Sequence, residues 1–331
     1  MCKWDKEYIK LCKKILKNGK RVENRTGIDS IKIPAYSLEF DLSKEFPALT
    51  TKQLFFRQAI VEMLWIYQVQ SNDVRWLQDR NVHIWDKWQA DENGDYIDND
   101  GTVRHLGKEY AETIGSAYGY IVDKFKLIDE RRDKFINDPT DRRGIMSLWQ
   151  NAELPTAVLP SCVFLSMWDI TDGKLSANVV QRSCDVPLGL PFNVTQYSVL
   201  LSMLAKEAGL EPWQLDWTIK DAHIYVDQIE GIKEQLKRRE VYKNYQNLTK
   251  KELLLLKKQI EMLNSDDLVH EEISNENLIK IIDMAIEPSK PELWLNPEIQ
   301  NFYDYDNSKD CKDIKVKKYK HMGKIDFPLA R

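Results

Sequence analysis

The stretch LPSCVFLSMWDITDGKLSANVVQRSCDVPLGLPFNVTQYSVLLSMLAKEAG, residues 159–209, sets two strands, a tight turn and a helix in immediate succession. Val163 to Ile170 and Leu175 to Val180 read as a hairpin around Thr171-Asp172-Gly173, since Asp-Gly is a strong two-residue turn signal. Residues 193–208 read as a helix: Val194, Tyr197, Leu200, Leu201 and Leu204 recur at helical spacing, and Gly209 closes it. A further strand is expected near 215–219. The same stretch is rich in chemistry. It holds a thiol at Cys162, a guanidinium and hydroxyl at Arg182-Ser183, a carboxylate at Asp185 and an amide at Asn193. Asp221-Ala222-His223-Ile224-Tyr225 follows, with a His/Tyr pair able to hold a sugar hydroxyl. This inventory suits an enzyme that attacks a pyrimidine nucleotide covalently. A thiolate adds readily to C6 of a uracil ring because the C4 carbonyl takes up the charge. Arg182 is the obvious cation to lower the thiol's pKa. Each residue also has a plainer reading: a lone cysteine is usually a small core residue, and Asn193 suits a helix N-cap.

Outward from this stretch, residues 4–17 read as a helix with Trp4, Tyr8, Leu11, Cys12 and Ile15 on one face. Residues 30–42 read as extended, with Pro34 marking a bulge or an edge. Residues 58–70 read as a buried helix. Glu62 lies inside it, and an unpaired buried carboxylate is costly, so it is either solvated or functional. Residues 90–110 are polar and Asp/Gly-rich and read as a surface loop. Residues 239–287 are rich in Lys, Glu, Asn and Leu; Thr249-x-x-Glu252 is a capping box before Leu253, Leu256, Ile260 and Leu263. Leu278, Ile281, Ile282 and Ala285 suggest a second short helix, so this segment reads as a helical insertion in a larger fold.

The chain has 331 residues, 43% hydrophobic and 30% charged, with a net charge of -4. That length allows one large domain, and 1–331 is read as a single catalytic domain. The balanced charge points to neither nucleic acid nor a membrane surface as partner. No apolar run is long enough to span a bilayer, and the first residues lack the apolar stretch of a secretory signal. Five scattered cysteines read as free thiols in a reducing cytoplasm, and neither they nor the five histidines show metal-ligand spacing.

"LPSCVFLSMW", "QRSCDVPLGLPFN" and "DAHIY" resemble the nucleophile, phosphate and sugar segments of thymidylate synthases. So do "NRTG" at 24–27, "LTTK" at 49–52, "EMLWIYQ" at 62–68, "NVHIWDKW" at 81–88, "AYGY" at 117–120 and "DRRGIM" at 141–146. Nine such strings in order are specific; they cover about 4–238 and 288–325, leaving 239–287 outside. The resemblance implies an α/β (α+β) fold, a large mixed sheet flanked by helices, in a homodimer packed sheet to sheet. It implies reductive methylation of dUMP to dTMP, with 5,10-methylenetetrahydrofolate as co-substrate and no metal. Arg25, Arg182 and Ser183 would bind the phosphate, with Arg142 and Arg143 reaching the neighbouring subunit's site. Asn193 would read the base, and His223 and Tyr225 the 3′-hydroxyl. Glu62 would organise protons around C4, and Tyr118 would stand near C5. Trp85, Trp88, Leu159, Asp185, Gly189, Phe192 and the tail at Ala330 would form the folate surface. Three positions depart from the pattern: Val163 where His is common, Ser161 where Pro is common, and Arg331 at the end of an otherwise apolar tail. The rivals are a dUMP hydroxymethylase of the same family and a non-catalytic nucleotide- or RNA-binding protein on the same fold.

Overall fold

The computed structural model describes residues 2–263 and 269–330, so Arg331 lies outside the described residues. The first part of the chain forms α1 (Lys3–Asn18), β1 (Lys20–Val22), β2 (Ser30–Asp41), α2 (Phe56–Tyr67) and α3 (Arg75–Gln78). Next come β3 (Asp95–Ile97), β4 (Val103–His105), α4 (Gly119–Lys124), α5 (Leu127–Asn137) and β5 (Ile145–Ser147). The central run is β6 (Val163–Thr171), β7 (Lys174–Gln181), β8 (Cys184–Asp185), α6 (Gly189–Glu207) and β9 (Glu211–Tyr225). The chain then builds α7 (Ile229–Tyr245), α8 (Lys250–Glu261), α9 (Asn275–Ile286), β10 (Glu292–Leu295) and β11 (Ile314–Lys317).

Seven strands form the main sheet, in the order β1-β2-β9-β7-β6-β5, with β8 also on β9. β9 runs parallel to β7 and β8 and antiparallel to β2, so the sheet is mixed. β6 and β7 form the expected hairpin, closed between Thr171 and Lys174 by Asp172 at φ 51° and Gly173 at φ 71°. Two successive left-handed residues match the strand twist, which is why Asp-Gly suits the turn. Pro34 falls beyond the part of β2 that β1 covers, where β2 is an edge and a missing N–H is tolerated.

α6 packs on β7, β8 and β9 of this sheet, and α2 packs on α6. α2 is buried from Ala59 through Tyr67, Glu62 included. α6 begins at Gly189, four residues before the start expected from the sequence. Pro191 occupies its first turn, where a backbone N–H has no intrahelical partner in any case. Asn193 is therefore inside the helix and is not its N-cap. The 90–110 segment is more ordered than a loop: β3 and β4 pair as a short hairpin, started by Asp91 Oδ1 accepting from the Asn93 and Asp95 N–H groups at 2.8 and 2.9 Å. Three-residue strands are too short to show a period, so the sequence hides them.

α7, α8 and α9 surround a second, smaller core built on Val241, Tyr242, Leu253, Ile260, Leu278, Ile281 and Ile282. The Thr249 capping box forms, with the Glu252 carboxylate accepting from the Thr249 N–H at 2.7 Å and Thr249 Oγ1 accepting from the Glu252 N–H at 3.3 Å. Residues 264–268 lie outside the described residues.

Candidate active site

The start of β6, the end of β7 and the end of β9 meet at one edge of the sheet. There the break between β7 and β8 at Arg182–Ser183 interrupts the strand, and the first turns of α6 face it. A cavity of about 410 Å³ opens at this point. Cys162, Ser183, Asp185, Asn193, His223, Tyr225, Glu62, Tyr118 and Arg25 line it, together with Trp85, Trp88, Leu159, Gly189, Phe192 and Ala330. Arg25 is carried by a turn in which Asn24 Oδ1 accepts from the Thr26 N–H at 2.9 Å. Arg142 and Arg143 do not line this cavity and stand exposed on the loop before β5.

Cys162 precedes β6. Its N–H donates to the Tyr118 hydroxyl oxygen at 3.0 Å, and an Arg182 Nη2 hydrogen points at its Sγ across 3.9 Å. Arg182 is itself fixed by the carbonyls of Ser161 and Pro160, at 3.0 and 2.5 Å, and lies 5.4 Å over the Trp149 ring. The sequence suggests a thiol made acidic by this arginine. In the structure burial pushes the Cys162 thiol up, and Arg182 and Arg25 only partly offset it. The cation was legible in the sequence; the competing desolvation was not. Tyr118 holds a left-handed backbone at φ 48°, and burial keeps its phenol protonated.

A directed chain of hydrogen bonds crosses the cavity wall. Trp217 Nε1 donates to Gln181 Oε1 at 3.0 Å, and Gln181 Nε2 donates to Asn193 Oδ1 at 3.2 Å. Asn193 Nδ2 donates to Gln196 Oε1 at 3.1 Å, and Gln196 Nε2 donates to Glu62 Oε2 at 2.6 Å. Trp85 Nε1 donates to the other oxygen, Glu62 Oε1, at 2.7 Å. An indole can only donate, so the Trp217 end fixes the sense of every amide in the chain. Asn193 keeps one N–H and one lone pair for a ligand. Glu62 is buried, and that burial raises its carboxyl to about 7, against the Trp85 and Gln196 hydrogen bonds that favour the charge. Neither Gln181 nor Gln196 is given a role from the sequence. Their signal was a polar amide in an apolar strand or helix, with Gln196 one turn after Asn193.

The aromatic end of the cavity is built by Trp85, 5.7 Å from Trp88 and 5.3 Å from Tyr118 between ring centroids. Asp185 faces it. Its Oδ1 accepts from the Leu188 N–H at 3.0 Å and its Oδ2 from Gln228 Nε2 at 3.1 Å, while burial raises its pKa. The same Gln228 amide donates to the Pro328 carbonyl at 3.1 Å, tying the C-terminal segment over the cavity, where Phe327 and Leu329 join the lining. Among the described residues no group of three His, Cys, Asp or Glu side chains could hold a metal ion, and no helix is long and apolar enough to cross a membrane.

A family model described as thymidylate synthase matches residues 6–286. The chain belongs to the thymidylate synthase family. A thymidylate synthase of Clostridium beijerinckii is 38% identical over 330 residues, covering all of both chains. Thymidylate synthase 1 of Bacillus subtilis strain 168 is 33% identical over 341 residues, again covering all of both. The solved structure of the thermostable thymidylate synthase A from Bacillus subtilis is similar with a TM-score of 0.72 and 31% identity, covering 99% of each chain. Thymidylate synthases are methyltransferases with 5,10-methylenetetrahydrofolate as co-substrate, so this chain is an enzyme, and the hydroxymethylase alternative is not favoured. The match also runs further than the short motif strings do. It takes in residues 239–286, where none of the nine motif strings lies.

Proposed function

We propose that this chain methylates dUMP reductively to dTMP through a covalent bond between Cys162 Sγ and C6 of the base. The observation that carries the reading is the convergence of Cys162, the Asn193 amide and the His223/Tyr225 pair on one cavity. Arg25 and Ser183 line one end and would donate to the phosphate, with Arg182 just outside the lining as a further cation. The free N–H and lone pair of Asn193 match O4 and N3–H of uracil. The Cys162 thiol gives up its proton as the sulfur–C6 bond forms, and the electron pair of the C5–C6 double bond moves toward O4. Glu62, raised to about 7, can take and return protons through its neighbours near neutral pH. Tyr118, beside the nucleophile, would stand near C5, where a proton must leave; its protonated phenol would orient the acceptor of that proton by a hydrogen bond rather than take it.

The aromatic end fits a flat heterocycle. Trp85, Trp88, Leu159 and Phe192 offer apolar walls, Gly189 leaves room, and Asp185 is an acceptor for ring N–H groups. When bound, 5,10-methylenetetrahydrofolate supplies both the carbon and the hydride and leaves as dihydrofolate. Ala330 and the tail held by Gln228 would cover it. The test is dihydrofolate formation, followed by absorbance with dUMP present. No dihydrofolate, or hydroxymethyl-dUMP as the product, would overturn the reading.

A homodimer with shared sites is part of this proposal. Ile145 and Met167, on the outer face of β5 and β6, are 53% and 40% exposed, and that apolar face suits a second sheet. Arg142 and Arg143, remote from their own cavity, would reach the partner's phosphate site. Mixing an Arg142→Ala chain with a Cys162→Ser chain is therefore expected to regain activity, because one of the two sites in a mixed dimer is undamaged. No recovery after verified subunit exchange would rule out sharing. The cytoplasmic setting is proposed because Cys162 must stay reduced, and all five cysteines are free thiols.

Base selection gives a further expected result. Asn193→Asp should raise the dCMP/dUMP ratio of kcat/KM by roughly ten- to a hundredfold, the effect of one buried group left unpaired on the wrong base. A carboxylate accepts from N4 of cytosine, and a shared proton bridges to N3. An unchanged ratio would remove Asn193 as base reader.

A further inference from the structure

Along β9 the core-facing positions alternate regularly through Leu215, Trp217 and Ile219. Beyond Asp221 the phase changes: Ala222 and Ile224 are fully buried, while His223 and Tyr225 line the cavity. Asp221 itself is left-handed, at φ 58° in the interior of a strand. That conformation is costly for most side chains and tolerated best by Gly, Asn and Asp. Strain held inside a strand next to a cavity calls for a compensating role.

The side chain supplies one. Asp221 Oδ2 accepts from Lys32 Nζ at 2.9 Å, across the β2–β9 pair in which Lys32 faces His223. Asp221 Oδ1 lies 3.1 Å from His223 Nδ1, and the Asp221 carbonyl oxygen lies 3.2 Å from the same nitrogen. Both neighbours of Nδ1 are acceptors, so Nδ1 carries the hydrogen. A neutral ring then presents Nε2 as a bare acceptor. His223 is 6% exposed, and its ring stands edge-on to Tyr225 at 5.0 Å, so it cannot readily turn over.

We propose that Asp221, anchored by Lys32, is a positioning residue that fixes His223 as a hydrogen-bond acceptor and so selects nucleotides whose 3′ position can donate a hydrogen. The proposal rests on the reading that His223 and Tyr225 meet the sugar's 3′-hydroxyl. A free 3′-hydroxyl satisfies Nε2; a 3′-phosphate or a 3′-deoxy sugar leaves it unpaired.

The experiment compares dUMP with 2′,3′-dideoxyuridine monophosphate as substrates of the parent, Asp221→Gly and Asp221→Asn. Glycine and asparagine both accept the left-handed backbone, so the strand is retained. The parent is expected to favour dUMP in kcat/KM by about tenfold or more, the effect of one lost hydrogen bond to a buried group. In Asp221→Gly the side-chain acceptor and its Lys32 anchor are lost and only the backbone carbonyl at 3.2 Å is left to hold Nδ1–H, so that preference should fall to about threefold, through KM for dUMP and with kcat little changed. Asp221→Asn should fall between, since its amide oxygen still accepts. A merely structural role would weaken both nucleotides alike and leave the ratio unmoved. Nitrogen-15 spectra of the parent are a readout independent of either variant, with Nε2 of His223 expected in the unprotonated range. A parent that does not discriminate at all removes the underlying reading of the sugar site. A discriminating parent whose preference survives in Asp221→Gly, or a protonated Nε2 in the neutral ring, overturns the role of Asp221 alone.

Discussion

Serine in place of Cys162 is expected to lower kcat by at least about a thousandfold while leaving the dUMP dissociation constant within about threefold of the parent. The two side chains are nearly the same shape. The contacts around the nucleophile also survive, because the Cys162 N–H that donates to Tyr118 at 3.0 Å belongs to the backbone. What changes is the group that must lose its proton. Burial already holds the thiol above its usual range, with Arg182 at 3.9 Å and Arg25 pulling the other way. A hydroxyl in the same place is far harder to ionise, and one partly offset guanidinium cannot close the gap. Arg25, Ser183, Asn193, His223 and Tyr225 are untouched, so phosphate, base and sugar contacts remain. Dihydrofolate formation and calorimetric titration with dUMP measure the two halves separately. Turnover within tenfold of the parent would remove Cys162 from the mechanism.

That thiol also marks where the sequence stops being informative. Local signals held up well. The Asp172-Gly173 turn, the apolar spacing of α1 and the Thr249 capping box depend on neighbours a few residues away and formed where expected, while α2 formed as a buried helix over Phe56–Tyr67 rather than 58–70. The start of α6 was missed because Gly189 and Pro191 usually break a helix; in a first turn they do not. The site residues given by resemblance gathered at one cavity, apart from Arg142 and Arg143, which stand away from it, and Arg182, which reaches Cys162 from outside the lining. What could not be read was how groups distant in sequence act on one another. The direction of the Cys162 shift, the amide chain through Gln181 and Gln196, and the pairing of Lys32 with Asp221 across 189 residues all need the fold.

Glu62→Gln is expected to cost activity and change how stability depends on pH, in opposite senses. Burial raises the Glu62 carboxyl from 4.5 to about 7 in the folded chain. Between those values the folded protein holds a proton that the unfolded chain has released. Stability therefore falls as pH rises across that window, and the loss is complete once pH exceeds the folded value. For a residue 8% exposed the shift corresponds to about 3 kcal/mol. Glutamine has no charge to desolvate. Its amide still accepts from Trp85 but meets Gln196 donor to donor, a fixed cost of about 1–3 kcal/mol at every pH. The difference in unfolding free energy between variant and parent should consequently move in the variant's favour by about 3 kcal/mol from pH 4.5 to pH 8, whatever its starting value. Urea unfolding of both proteins at several pH values measures it, and groups common to the two cancel. Activity should fall about a hundredfold or more at all pH values, since the carboxylate that ends the Asn193–Gln196 hydrogen-bond run can no longer exchange a proton. A pH-independent stability difference would mean that Glu62 titrates like an exposed carboxylate, and the proton-carrying role assigned to it would lose its physical basis.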